Sequence, residues 1–129
     1  MDQEALVADL KKLLGDLRKR KGPVALLMLY APDVGLEDTW HVIVSAKGFD
    51  GMGRAAAISE VTDLLRKYLK RKHWHLITRT VVLDTDDAFV RGMNSAFGGH
   101  DSLLSIHSCA VSGIEIPKAI LLESQKAAA

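Results

Sequence analysis

The chain has 129 residues, 48% of them hydrophobic and 26% charged, and its net charge at neutral pH is +1. That length fits one domain, and the balance excludes a disordered tail, a collagen-like repeat and a coiled coil. A charge so near zero names no polyanionic partner, and the longest apolar run, 24–29, falls far short of the roughly 20 residues a bilayer needs.

The first segment reads as an amphipathic helix. Leu6, Val7, Leu10, Leu13, Leu14 and Leu17 form one apolar stripe. Asp2 or Gln3 can begin it, with Glu4 at the positive end of the helix dipole and Arg18, Lys19, Arg20 and Lys21 at the negative end. Gly22-Pro23 stops it, and Gly15 weakens it by about 1 kcal/mol relative to alanine. The opening MDQEALVADL lacks the basic start and apolar stretch of an export signal, and the single cysteine, Cys109, suits a reducing compartment. Together they predict a cytoplasmic protein without a membrane anchor.

Two strands follow. Residues 24–30 are almost wholly apolar, as in a strand covered on both faces. A Pro-, Gly- and acid-containing loop over 32–38 then leads to 39–46, where Trp40, Val42 and Val44 alternate with His41, Ile43 and Ser45. So short a connection predicts an antiparallel hairpin. The glycine-rich 47–53 cannot be regular structure, and it precedes a second helix over 54–70 with Ile58, Val61, Leu64, Leu65, Tyr68 and Leu69 on its buried face. A third strand is predicted over 74–83. Asp84, Thr85, Asp86 and Asp87 cap a short helix bearing Phe89, Val90, Met93 and Phe97, which Gly98-Gly99 ends. Strands over 103–111 and 114–122 complete the chain, with Ser112-Gly113 as a tight turn and Pro117 demanding an edge or a bulge in the last strand.

The order α-β-β-α-β-α-β-β predicts a single α+β domain over 1–126 and a frayed tail over 127–129. Its sheet is expected to be five-stranded and mainly antiparallel, with the helices packed largely on one face. The strands are apolar at both parities, Val24, Leu26 and Met28 against Ala25, Leu27 and Leu29, so the second face would lie uncovered. Exposed apolar patches mark interaction surfaces, and self-association as a homodimer through that face or a sheet edge is the expected consequence.

Several residue groups bear on chemistry. Gly48, Gly51 and Gly53 before a helix, with Arg54, could hold a phosphate on free amides. Their spacing matches neither the dinucleotide fingerprint nor a P-loop, and unusual backbone angles are the plainer use of such glycines. Asp84 and Asp86 resemble a carboxylate pair for Mg²⁺, but helix capping explains them with fewer assumptions. His73 and His75, with His107 and Cys109, offer zinc-type donors without zinc-type spacing. Ser105, His107 and Cys109 share one side of a strand at about 6–7 Å per step, too far for nucleophile activation. No catalytic residue, metal site or cofactor is therefore assigned, and an enzyme is the less favoured class. The basic runs at 18–21 and 66–72 would form one patch if the two long helices ran parallel, with Trp74 or Tyr68 stacking on a base.

The segments WHVIVSAKG (40–48), RTVVLDTDD (79–87) followed by Phe89-Val90, and GIEIPKAILL (113–122) resemble those of a group of small, functionally uncharacterised bacterial α+β proteins. The resemblance covers about half the chain and lies in strand cores and a helix cap. It implies a fold and carries over no site residues. Two functional classes follow from the residues themselves. The first is a non-enzymatic interaction or accessory module that self-associates or binds a protein partner. The alternative is a nucleotide- or nucleic-acid-binding protein using Gly51, Gly53, Arg54, Arg66, Lys70, Arg71 and Trp74. It requires those residues to converge on one concave site.

Overall fold

A computed structural model describes residues 2–31, 39–98 and 104–125. The expected loop at 32–38, Gly99 and the expected tail at 127–129 lie outside the described residues. Helix α1 spans Asp2–Lys21, and strands β1 and β2 span Val24–Ala31 and Trp40–Ala46. A 3₁₀ turn, Lys47–Phe49, leads to helix α2, Arg54–Tyr68. A 3₁₀ segment, Arg71–Leu76, enters strand β3, Ile77–Val82, and helix α3, Ala88–Phe97, follows. Strands β4, Leu104–Val111, and β5, Ile114–Ser124, close the fold.

The α+β class stands, with a five-stranded sheet in the order β3-β2-β1-β5-β4. The sheet is mixed. The pairs β1–β2, β1–β5 and β4–β5 are antiparallel, whereas β2–β3 is parallel. The intervening α2 supplies the long crossover that a parallel pair requires, which a short hairpin connection could not. The third strand begins at Ile77 rather than at 74, because 71–76 winds as a 3₁₀ segment.

The expected placement of the helices is corrected. Helices α1 and α2 cover one face through Leu6, Leu10, Leu13, Leu17, Val61 and Leu65, above Leu27, Leu29, Val42, Val44 and Ile120. Helix α3 lies on the other face, where Phe89, Val90 and Met93 meet Leu26, Met28, Ile106, Ile116 and Leu121. A bulge near the start of β1 brings Ala25 to the α3 side together with Leu26. Strands apolar at both parities have thus found a lid on each side within one chain. Leu26 and Met28 are fully buried, which removes the uncovered face on which the homodimer expectation rested.

Pro117 lies in an inner strand, not at an edge. The irregularity expected there falls on its neighbour β4. Ser108, whose register position is opposite Pro117, has φ 51° and drops out of the paired ladder between His107↔Lys118 and Cys109↔Ile116. The Ser112-Gly113 turn forms as expected, with φ positive at both residues, 50° and 78°. Its tip reaches α3: the Ser112 hydroxyl donates to the Ala88 carbonyl at 2.9 Å. Helix α1 stops at Gly22 (φ 74°), whose N–H returns to the Arg18 carbonyl.

Candidate functional site

The glycine loop turns its polar groups onto its own chain. Gly51 adopts φ 83° in the turn, and Gly53 is the residue before the first turn of α2. Gly48 is required by packing, since a Cβ there would lie 2.7 Å from the Lys21 Cα and carbonyl oxygen. The Asp50 carboxylate accepts from the Thr85 N–H (2.9 Å) and hydroxyl (2.5 Å), clipping the loop to the turn after β3. Arg54 Nη1 donates to the Val82 carbonyl at 2.9 Å. Of the acidic cluster, Asp87 caps α3, accepting from the Phe89 N–H at 2.8 Å, while Asp84 and Asp86 are exposed.

The other donor groups are dispersed. His73 is buried and His75 exposed in the 3₁₀ segment beside one sheet edge, while half-buried Cys109 lies on β4 at the opposite edge. Among the described residues, no three His, Cys, Asp or Glu side chains are grouped as a metal would require. No described helix is long and apolar enough to cross a membrane.

The two basic runs do not merge, because α1 and α2 are antiparallel. Asp16 meets Lys67 and Tyr68 near the end of α2, whereas Lys21 meets Glu60, two turns earlier. Acids engage four of these cations. Arg18 pairs with Glu123, Arg20 and Lys67 with Asp16, and Lys21 with Glu60. Asp16 is the hub. The hydrogen bond from the Tyr68 hydroxyl, then those from Arg20 and Lys67, lower its pKa from 3.8 to about 2, against a smaller opposing effect of burial. The shared proton raises the pKa of Tyr68, and the Asp16 carboxylate raises that of Arg20.

Of the candidate residues, Arg66, Arg71 and Trp74 come together at the far end of α2. Gly53 and Arg54 stand at its near end, about 18 Å away at 1.5 Å per residue, so the set forms two groups and not one concave site. Trp74 is 40% exposed, with its indole N–H directed at the Leu69 carbonyl (3.3 Å) and the Arg71 guanidinium 6.0 Å from its ring centre. Beside it lies a depression of about 220 Å³ between α2 and β3, lined by Thr62, Leu65, Arg66, Leu69, Trp74, Ile77 and Thr80. Lys70 is exposed near by in sequence and does not line it.

Strand β3 forms the rim of that depression and the outer edge of the sheet. The Leu83 N–H bonds the Val44 carbonyl, so by the alternation of the ladder Val81 points its main-chain groups at β2. Thr80 and Val82 point theirs outward, and it is the Val82 carbonyl that Arg54 caps. Sequence reasoning found Arg66 and Trp74 but missed Thr62, Ile77 and Thr80. The available signal was the length of the connection between the second and third strands, long enough for a parallel crossover with its helix against the new edge.

No family model, no curated protein and no solved structure matches the chain.

Proposed function

We propose that the protein is a non-enzymatic interaction module that takes an extended segment of a protein partner onto the outer edge of β3 by strand addition. The observation that carries this reading is the edge itself: β3 is terminal in the sheet, and Thr80 directs an N–H and a carbonyl away from β2. The depression beside Trp74 supports it by offering a pocket for a side chain of the added strand, as specificity in strand addition requires. A second copy of the chain is the poorer occupant. Two-fold antiparallel pairing of β3 with itself in the register centred on residue 79 would set two exposed Arg79 side chains opposite each other, and facing like charges destabilise a strand pair.

The test is a titration of ¹⁵N-labelled protein with a neutral, blocked peptide of alternating Thr and Val, up to about 1 mM. The reading predicts shifts of the Thr80 and Val82 amides and of the Trp74 indole, abolished by Thr80→Pro, which removes the outward N–H. Shifts confined to β4, or binding that survives Thr80→Pro, would overturn it.

A further inference from the structure

We infer that the segment taken up at β3 is acidic and carries an apolar side chain for the depression beside Trp74; this deepens, and rests on, the strand-addition reading. The argument is one of charge distribution. The net charge is only +1, yet the cations are unequally engaged. Arg18, Arg20, Lys21 and Lys67 are held in ion pairs by Glu123, Asp16 and Glu60. Arg66, Lys70, Arg71, Lys72 and Arg79 are all exposed and take part in no ion pair among the described residues. These five surround β3 and the 3₁₀ segment that feeds it. Among the described residues no acidic side chain lines the depression, because Glu60 and Asp63 of α2 open toward α1 on its other side. Five exposed cations outside the ion pairs among the described residues thus lie from α2 through the 3₁₀ segment to β3, at the edge whose main-chain groups point outward, where they would steer and hold a negatively charged chain.

The alternation of the edge refines the ligand. Thr80 pairs with Val42, which faces α2, and Arg79 pairs with His41, which belongs to the opposite parity. Side chains of an added strand would alternate in the same way. On the α2 side one would enter the depression floored by Leu65, Leu69 and Ile77, within reach of Arg66 at its rim. The intervening ones would fall beside Arg79. Single-stranded nucleic acid would meet the same cations, but its sugar-phosphate chain cannot match the N–H and carbonyl pair of Thr80, and Arg71 already lies over the Trp74 ring.

The test compares a blocked Val-Glu-Leu-Glu-Val-Glu-Leu peptide with its lysine counterpart, the neutral Thr/Val peptide and an oligothymidylate, by fluorescence anisotropy and by the Trp74 indole resonance. The expected result is that the acidic peptide binds at least about tenfold more tightly than the neutral one and shifts the Trp74 indole. That advantage should disappear between about 50 and about 500 mM salt and in the Arg66→Gln/Arg79→Gln variant. Equal or tighter binding of the lysine peptide, displacement of the acidic peptide by oligothymidylate, or an advantage that survives Arg66→Gln/Arg79→Gln would overturn the inference. If the neutral peptide binds and the acidic one gains nothing, only the charge argument falls. If neither shifts Thr80, strand addition falls with it.

Discussion

At the β4 edge, Ser108 turns to φ 51° opposite Pro117, and the hairpin beyond it folds onto α3 through Ser112 and Val111. At the β3 edge the pairing is irregular near Thr78 and then regular from Arg79 to Val82, and the strand is flanked by an indole, an apolar depression and cations outside the ion pairs among the described residues. A left-handed residue in mid-strand breaks the row of main-chain donors and acceptors that another strand would need. The β4 edge is thus blunted by its own geometry. At the β3 edge Arg54 caps the Val82 carbonyl, while Thr80 keeps its outward main-chain groups beside exposed Arg79; under the strand-addition proposal this charge repels a like chain and admits an opposite one. An edge can thus be blunted by a kink in its backbone, while an edge without one keeps main-chain groups turned outward.

The sharpest break of this comparison is a pair of prolines in β3. Val81→Pro should cost about 3 kcal/mol, because it removes a donor that pairs with β2 and leaves an acceptor unmet. Thr80→Pro should cost under about 1 kcal/mol, because its N–H faces outward. Urea denaturation of the two variants measures the difference, and equal losses would mean that Thr80 has a partner.

On the opposite side, Gly92→Ala should destabilise by about 2 kcal/mol although alanine is the better helix former by about 1 kcal/mol. A Cβ at Gly92 would lie 2.5 Å from the Ser112 Oγ and 2.7 Å from the Val111 Cγ1, prising the hairpin tip from α3. The Trp74 resonance should be unmoved in the same variant. Ser108→Gly should stabilise by about 0.5 kcal/mol, relieving the left-handed serine at the expense of some chain entropy. A loss of stability there would show that the kink is held by something other than backbone geometry.

The smallest effect concerns the clasp between α1 and α2. The pKa of Asp16 is depressed in the folded chain, so its stabilising contribution is complete above about 4, near its ordinary value, and is lost as pH falls toward about 2. Thermal melts from pH 5 to pH 2 should show this acid-side decline flattened in Asp16→Asn. An unchanged slope would place the titrating groups elsewhere.

How much of this was legible in the sequence follows from the range of each signal. The stripes Leu6 to Leu17 and Phe89 to Met93 were readable because helical periodicity is local, and Asp87 because a cap acts within two residues. The second apolar parity of β1 was also visible, but its lid was not. Whether α3 or another molecule covers Met28 depends on where the chain turns after Leu83, which no nearby residue specifies. The antiparallel packing of α1 and α2 was equally hidden, and with it the pairing of Lys21 with Glu60 that dissolves the supposed basic patch. Arg66 and Trp74 were singled out as a cation and an aromatic close in sequence. Their meaning came only when the β2–α2–β3 crossover set them beside Thr80.

The most direct measurement is amide hydrogen exchange on the dilute, unliganded protein. The account predicts that the Thr80 N–H exchanges at least about a hundredfold faster than that of Val81, since the latter opens only with the sheet. Equal protection of the two amides, unchanged on dilution, would mean that the chain itself closes the β3 edge and would contradict the account.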